Sequence, residues 1–134
     1  MKQSIVALVA CSTLLIQNGC SWEHSLESLS GTYVPDGFRN NYDTITLKPD
    51  GSYRRIVCDS SRKLIRSIQG TWTVDGGMLS IEHFYLNLDD DLTRFPESAM
   101  DDSTHIKRVF DDRDGRPGFC VGYLPGENCY WRIP

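Results

Sequence analysis

The stretch Tyr42 to Ile81, YDTITLKPDGSYRRIVCDSSRKLIRSIQGTWTVDGGMLSI, decides the fold. Thr44-Ile45-Thr46-Leu47 alternates polar and apolar residues, which puts Ile45 and Leu47 on the buried face of a strand. Lys48-Pro49-Asp50-Gly51 breaks the alternation. Pro49 presets φ for the second position of a turn, and Gly51 accepts positive φ. Ser52 to Val57 resumes the strand, with Tyr53, Arg55 and Val57 on one face and Arg54 and Ile56 on the other. Two alternating runs around such a turn predict a β-hairpin.

The pattern continues outward. Cys58 to Lys63 is polar and reads as a loop. Leu64 to Val74 reads as a long strand with a bend at Gly70, placing Trp72 and Val74 on one face and Thr71 and Thr73 on the other. Asp75-Gly76-Gly77 is a tight turn, and Met78 to Leu86 reads as the next strand. Strands in this sequence, joined by short turns, predict an antiparallel meander.

Gly31-Thr32-Tyr33 is echoed by Gly70-Thr71-Trp72, and an Asp-Gly turn follows each. A Gly before an aromatic suits a strand start where backbones approach closely. Two copies fall short of the three or so units that a repeat array needs. The order Gly-Thr-Tyr, Ile-Thr-Leu-Lys-Pro-Asp-Gly-Ser-Tyr, Gly-Thr-Trp and then Leu-Ser-Ile resembles the small bacterial lipocalin-like proteins over Leu29 to Phe84. The resemblance implies a small antiparallel β-barrel or barrel-like sandwich, with Arg132 packed on an aromatic such as Trp72 at the closed end of such a barrel.

Beyond that stretch, Thr104 to Phe110 reads as a strand with Ile106 and Phe110 on one face. Phe119 to Tyr123 and Cys129 to Ile133 read as a last hairpin, with Cys129, Trp131 and Ile133 sharing the core face. The expectation is an all-β fold. It is a small antiparallel meander closing into a lipocalin-like barrel of about eight strands, preceded by an N-terminal signal segment.

Met1-Lys2 is a short positive segment, and Ile5 to Ile16 is an apolar run too short to span a membrane. Gln17-Asn18-Gly19-Cys20 follows, and a small residue directly before a Cys resembles the bacterial lipoprotein signal. Leu8-Val9-Ala10-Cys11 fits the local pattern better, but leaves almost no apolar run before it, which favours Cys20. The expected organisation is a signal peptide over residues 1–19, a tether over 20–28 lipidated at Cys20, and a barrel domain over 29–134. A conventional signal peptide with a nearby cleavage site is the alternative. In the family, Asp after the lipidated Cys retains the protein at the inner membrane. Ser21 stands there in this sequence, so the resemblance implies the outer membrane, facing the periplasm. Trp22 in the tether reads either as an interface anchor or as a solvated residue.

The protein has 134 residues and a net charge of −4, which suits one domain with a modest core. No basic face is interleaved with aromatics, so no nucleic acid is expected as a partner. Arg54-Arg55 and Arg62-Lys63 read as solvated strand ends. With Cys11 in the signal and Cys20 lipidated, Cys58, Cys120 and Cys129 remain, in a compartment that permits disulfides. Cys120 and Cys129 flank a hairpin tip, which favours their pairing. Either one with Cys58 would close a larger loop and stabilise more.

Asn87, Asp89 and Asp91 could offer oxygens to calcium, but the Gly and distal Glu of the helical calcium loop are missing. Asn87 to Asp102 therefore reads as a solvated acidic loop with a short helical turn, and Asp111 to Gly115 as a turn. No metal and no cofactor is expected. His83 and His105 fall in separate predicted strands, no nucleophile motif is present, and no catalytic residue is assigned. Tyr33, Tyr53, Trp72 and Trp131 either line a pocket or fill the core. The expected function is a membrane-anchored, non-enzymatic module that binds a small apolar ligand or another envelope component. The alternative is an inhibitor or structural protein that uses its loops on a protein partner. An enzyme ranks last.

Overall fold

The computed structural model describes residues 24–36, 41–88, 91–95 and 104–134. The expected signal segment, Cys20, Trp22, Asp89 and Asp90 lie outside the described residues. Among those described, no helix is long and apolar enough to cross a membrane.

The fold is an all-β antiparallel meander of nine strands, with β6-β5-β4-β3-β2-β1-β9-β8-β7 as neighbours. The strands are β1 (Gly31–Pro35), β2 (Asn41–Leu47), β3 (Ser52–Asp59), β4 (Leu64–Asp75), β5 (Met78–Ile81), β6 (Ile106–Val109), β7 (Asp111–Arg113), β8 (Arg116–Cys120) and β9 (Cys129–Arg132). Two four-residue helices accompany them, α1 (Leu26–Leu29) and α2 (Asp91–Arg94). The two edge strands are consecutive in the sequence and meet at Phe110, so one bent segment spans the seam of a nearly closed barrel. Arg108 adds a bond from Nη2 to Val121 O across the same seam at 3.4 Å.

Turn chemistry fixes the meander. Gly51 sits at φ +83° and donates to Lys48 O at 3.1 Å, while Asp50 Oδ1 accepts from Ser52 N at 2.8 Å. Gly76-Gly77 and Asp114-Gly115 form two-residue turns with both residues at positive φ, the geometry that matches the twist of flanking strands. The register that follows sets Leu47 opposite Tyr53 and Ile45 opposite Arg55. β4 pairs with β3 up to Thr71 and with β5 from Trp72 onward, close to the Gly70 bend read from sequence. A Cβ on Gly70 would lie 2.7 Å from Tyr53 Cε1 and 2.9 Å from Glu82 O, so this crossing needs glycine.

Two expectations are corrected. The strand from Met78 ends at Ile81 rather than Leu86. The backbone turns at His83, whose φ is +57°, so His83 is a bend residue and not a strand residue. The turn drops Phe84 into the core. The last hairpin is also shifted: its first strand is Arg116–Cys120, not Phe119 to Tyr123.

Candidate functional site

The barrel interior is filled. Leu29, Tyr33, Ile45, Leu47, Tyr53, Trp72, Leu79, Ile81, Phe84, Phe119 and Tyr130 are all buried in one cluster. Phe119 stacks on Tyr130 at 5.5 Å and meets Tyr33 at 5.6 Å, while Phe84 meets Tyr130 edge-on at 6.4 Å. Barrels of this size are normally filled by their own side chains.

Tyr33, Tyr53 and Trp72 belong to this core, and each polar tip closes onto a different segment. Tyr33 OH donates to Leu29 O at 2.6 Å, Tyr53 OH to His83 O at 2.8 Å, and Trp72 Nε1 to Lys48 O at 2.8 Å. Burial pushes the Tyr33 hydroxyl well above its usual range, with Arg132 opposing. The Arg132 guanidinium donates to Ser28 O at 2.7 Å, and the aliphatic stem of the same side chain lies across Gly31, where a Cβ would stand 2.6 Å from Arg132 Cδ.

Arg55 overturns the solvated reading of Arg54-Arg55. Arg54 is exposed, but Arg55 is 0% exposed at the centre of the barrel. Its Nε donates to Asp43 Oδ1 at 2.8 Å and its Nη2 to Asp43 Oδ2 at 2.6 Å. Nη1 donates to Tyr85 O, and the guanidinium lies 4.3 Å from the Phe84 ring centroid. Tyr130 OH donates to Asp43 Oδ2 at 2.7 Å, and Asn87 Nδ2 does so at 3.2 Å. Burial is the largest single influence and works against the Arg55 charge, but Asp43, Tyr130 and Tyr53 together outweigh it and hold the guanidinium protonated. Burial raises the Tyr130 hydroxyl well above its ordinary value, against the pull of Arg55. A buried pair of this kind is tolerated only when hydrogen bonds satisfy both ions, as they do here.

A signal for this network exists in the sequence. Asp43, Ile45 and Leu47 share parity, as do Tyr53, Arg55 and Val57, so one hairpin carries opposite charges on its inward face. Asn87, placed above in a solvated acidic loop, is instead fully buried and accepts Leu92 N on Oδ1 at 2.9 Å. Among the described residues, no three His, Cys, Asp or Glu side chains group to hold a metal.

Trp131 is buried, but not on the face expected. Tyr130 is the β9 side chain that enters the core cluster, so alternation turns Cys129 and Trp131 outward. Ile133, expected with them in the core, is 42% exposed. The Trp131 ring lies over Gly118, where a Cβ would fall 2.2 Å from Cε3. Arg113 covers the ring at 4.1 Å from its centroid and pairs with Asp36 Oδ2 at 2.5 Å. Trp131 Nε1 is buried with no hydrogen-bond partner among the described residues. An orphaned donor costs about 1–3 kcal/mol, more than the 0–1 kcal/mol or so that an exposed pair such as Arg113–Asp36 contributes.

Cys120 and Cys129 form the expected disulfide, with their Cα atoms 3.9 Å apart, and Cys58 is a free thiol. The bridge clamps the base of the 121–128 tip. Val121 N donates to Asn128 O at 3.1 Å and Gly122 N to Glu127 O at 3.0 Å. Glu127 Oε2 accepts from Leu124 N at 3.2 Å. At the tip Tyr123 is 85% exposed and Leu124 63% exposed. Leu88, Tyr123, Glu127 and Asn128 line a shallow groove of about 300 Å³ beside it. β1 begins beside α1, and past its far end Asp36 N donates to Cys129 O at 2.8 Å. The tip therefore leaves the barrel at the pole opposite α1. A second open groove of about 350 Å³, lined by Ser80 to His83, His105 and Lys107, lies on the outer wall.

Comparison with known protein families, with curated proteins and with solved structures returned no match.

Proposed function

We propose that this protein is a non-enzymatic envelope lipoprotein, anchored through Cys20 to the outer membrane and facing the periplasm. Its lipocalin-like barrel serves as a scaffold that presents the 121–128 tip to another envelope protein. The observation that carries the reading is the placement of Tyr123 and Leu124. Two large apolar side chains stand in solvent on a disulfide-clamped loop, at the pole opposite α1. Exposed aromatics on a rigid base are what protein interfaces use as anchors. The filled interior supports this reading over carriage of a small apolar ligand, which needs a lined cavity of several hundred Å³.

The test is photocrosslinking in intact cells, with the crosslinker at Tyr123 and, as a control, at exposed Arg54 on the barrel wall. A discrete protein adduct from position 123 alone is expected. Equal adducts from both positions, or a small molecule co-purifying in native mass spectrometry with no adduct, would overturn the reading. Cys20→Ala is expected to abolish membrane fractionation.

A further inference from the structure

We infer that Trp131 and Arg113 form a latent receptor for a carboxylate, and that Asp36 occupies the guanidinium until such a group arrives. The inference is independent of the tip. It rests on three facts about the outer wall formed by β1, β9, β8 and β7. Trp131 is 7% exposed, yet its Nε1 donor has no partner among the described residues. Gly118 gives the indole its seat, since any side chain there would strike the ring. Arg113 lies on the ring at 4.1 Å and is held by a single exposed ion pair to Asp36.

These groups differ in what they need. The indole N–H requires an acceptor, and burial makes its absence costly. The Arg113–Asp36 pair has side chains 43% and 55% exposed, so water competes with it and the side chains rearrange readily. A carboxylate is the ligand that answers both, because one oxygen accepts from Trp131 Nε1 while the other engages the guanidinium fork. Arg113 must shift along the ring to admit it, and Asp36 must let go. Asp36 is thus an internal competitor. The ligand class is a peptide carboxylate, borne either by an acidic side chain or by a polypeptide C-terminus.

The full-length protein, labelled with 15N, is titrated with sodium acetate at fixed pH and ionic strength, with sodium chloride as control. Trp131→Phe assigns the indole cross-peak. A saturable downfield shift of that N–H with acetate, absent with chloride, is expected. N-acetylalanine offers only a terminal carboxylate and N-acetylglutamic acid α-amide only a side-chain one, so the stronger of the two names the source. Asp36→Asn removes the competitor and is expected to tighten binding about threefold or more. Arg113→Gln is expected to abolish the shift, with the remaining cross-peaks in place to show an intact fold. No acetate-specific shift, or an Asp36→Asn variant that binds no better, would overturn the inference.

Discussion

Arg55 and Asp43 are joined by two hydrogen bonds, of 2.8 and 2.6 Å, at the centre of a barrel otherwise packed with aromatic rings. The pair joins β2 to β3, and its remaining bonds reach Tyr85, Asn87 and Tyr130. It thereby ties the segment after β5, and the last strand, to the first hairpin.

Removing one member leaves the other charged and unpaired in the core. Asp43→Leu or Arg55→Met is expected to lose about 3–5 kcal/mol in urea unfolding. The double variant Asp43→Leu with Arg55→Met, which removes both charges, is expected to lose less than either single change. A double variant as unstable as the sum of the two would show that the ions do not act as a pair.

The buried tyrosines set the alkaline limit of the fold. Tyr33 and Tyr130 both have hydroxyls raised above their ordinary value, chiefly by burial. In the unfolded state they ionise near pH 10 or so, while the folded state keeps its protons. The contribution is fully present below that pH and is lost as pH rises above it, since the folded state then binds more protons. Stability should fall by about 1 kcal/mol for each tyrosine between pH 10 and 11 or so, with the slope approaching about 1.4 kcal/mol per pH unit above that. Melting curves from pH 8 to 11 check this, and Tyr33→Phe with Tyr130→Phe should flatten the slope.

The disulfide is expected to act locally. Its cysteines are separated by nine positions, a short loop for which the entropic model gives about 2–3 kcal/mol. The double variant Cys120→Ser, Cys129→Ser should lose that amount and become susceptible to cleavage beside Tyr123 and Leu124. An unchanged proteolysis pattern would mean that the tip holds its shape through its backbone bonds alone.

Much of the fold was legible because its signals are local. Alternation placed Ile45 and Leu47 inward and put Tyr53 and Val57 on one shared face, which is buried, and Asp-Gly and Gly-Gly turns placed the connections. The disulfide followed from a hairpin whose two ends carry the thiols. Arg55 was misread because the groups that permit its burial lie far along the sequence, Asn87 and Tyr130 among them. The end of β5 was missed because Phe84, Tyr85 and Leu86 extend an apolar run through a bend that only His83's left-handed backbone reveals. Trp131 and Tyr130 are adjacent, aromatic and both buried, so composition does not show which one faces inward. The outward one lies in a seat made by Gly118 and under Arg113, both in other strands.

The contacts of α1 also determine how the molecule bears traction. Arg132, at the end of β9, donates to Ser28 O, and Tyr33 in β1 donates to Leu29 O. A pull arriving from the N-terminal side therefore reaches β1 and β9 together. β1 lies between β2 and β9, antiparallel to both, with Gly31 opposite Leu47 and Tyr33 opposite Arg132. Tension along β1 shears two rows of hydrogen bonds at once instead of peeling them singly. A protein tethered at this end would pass tension into β1 and the two strands that flank it, leaving the distant loop slack.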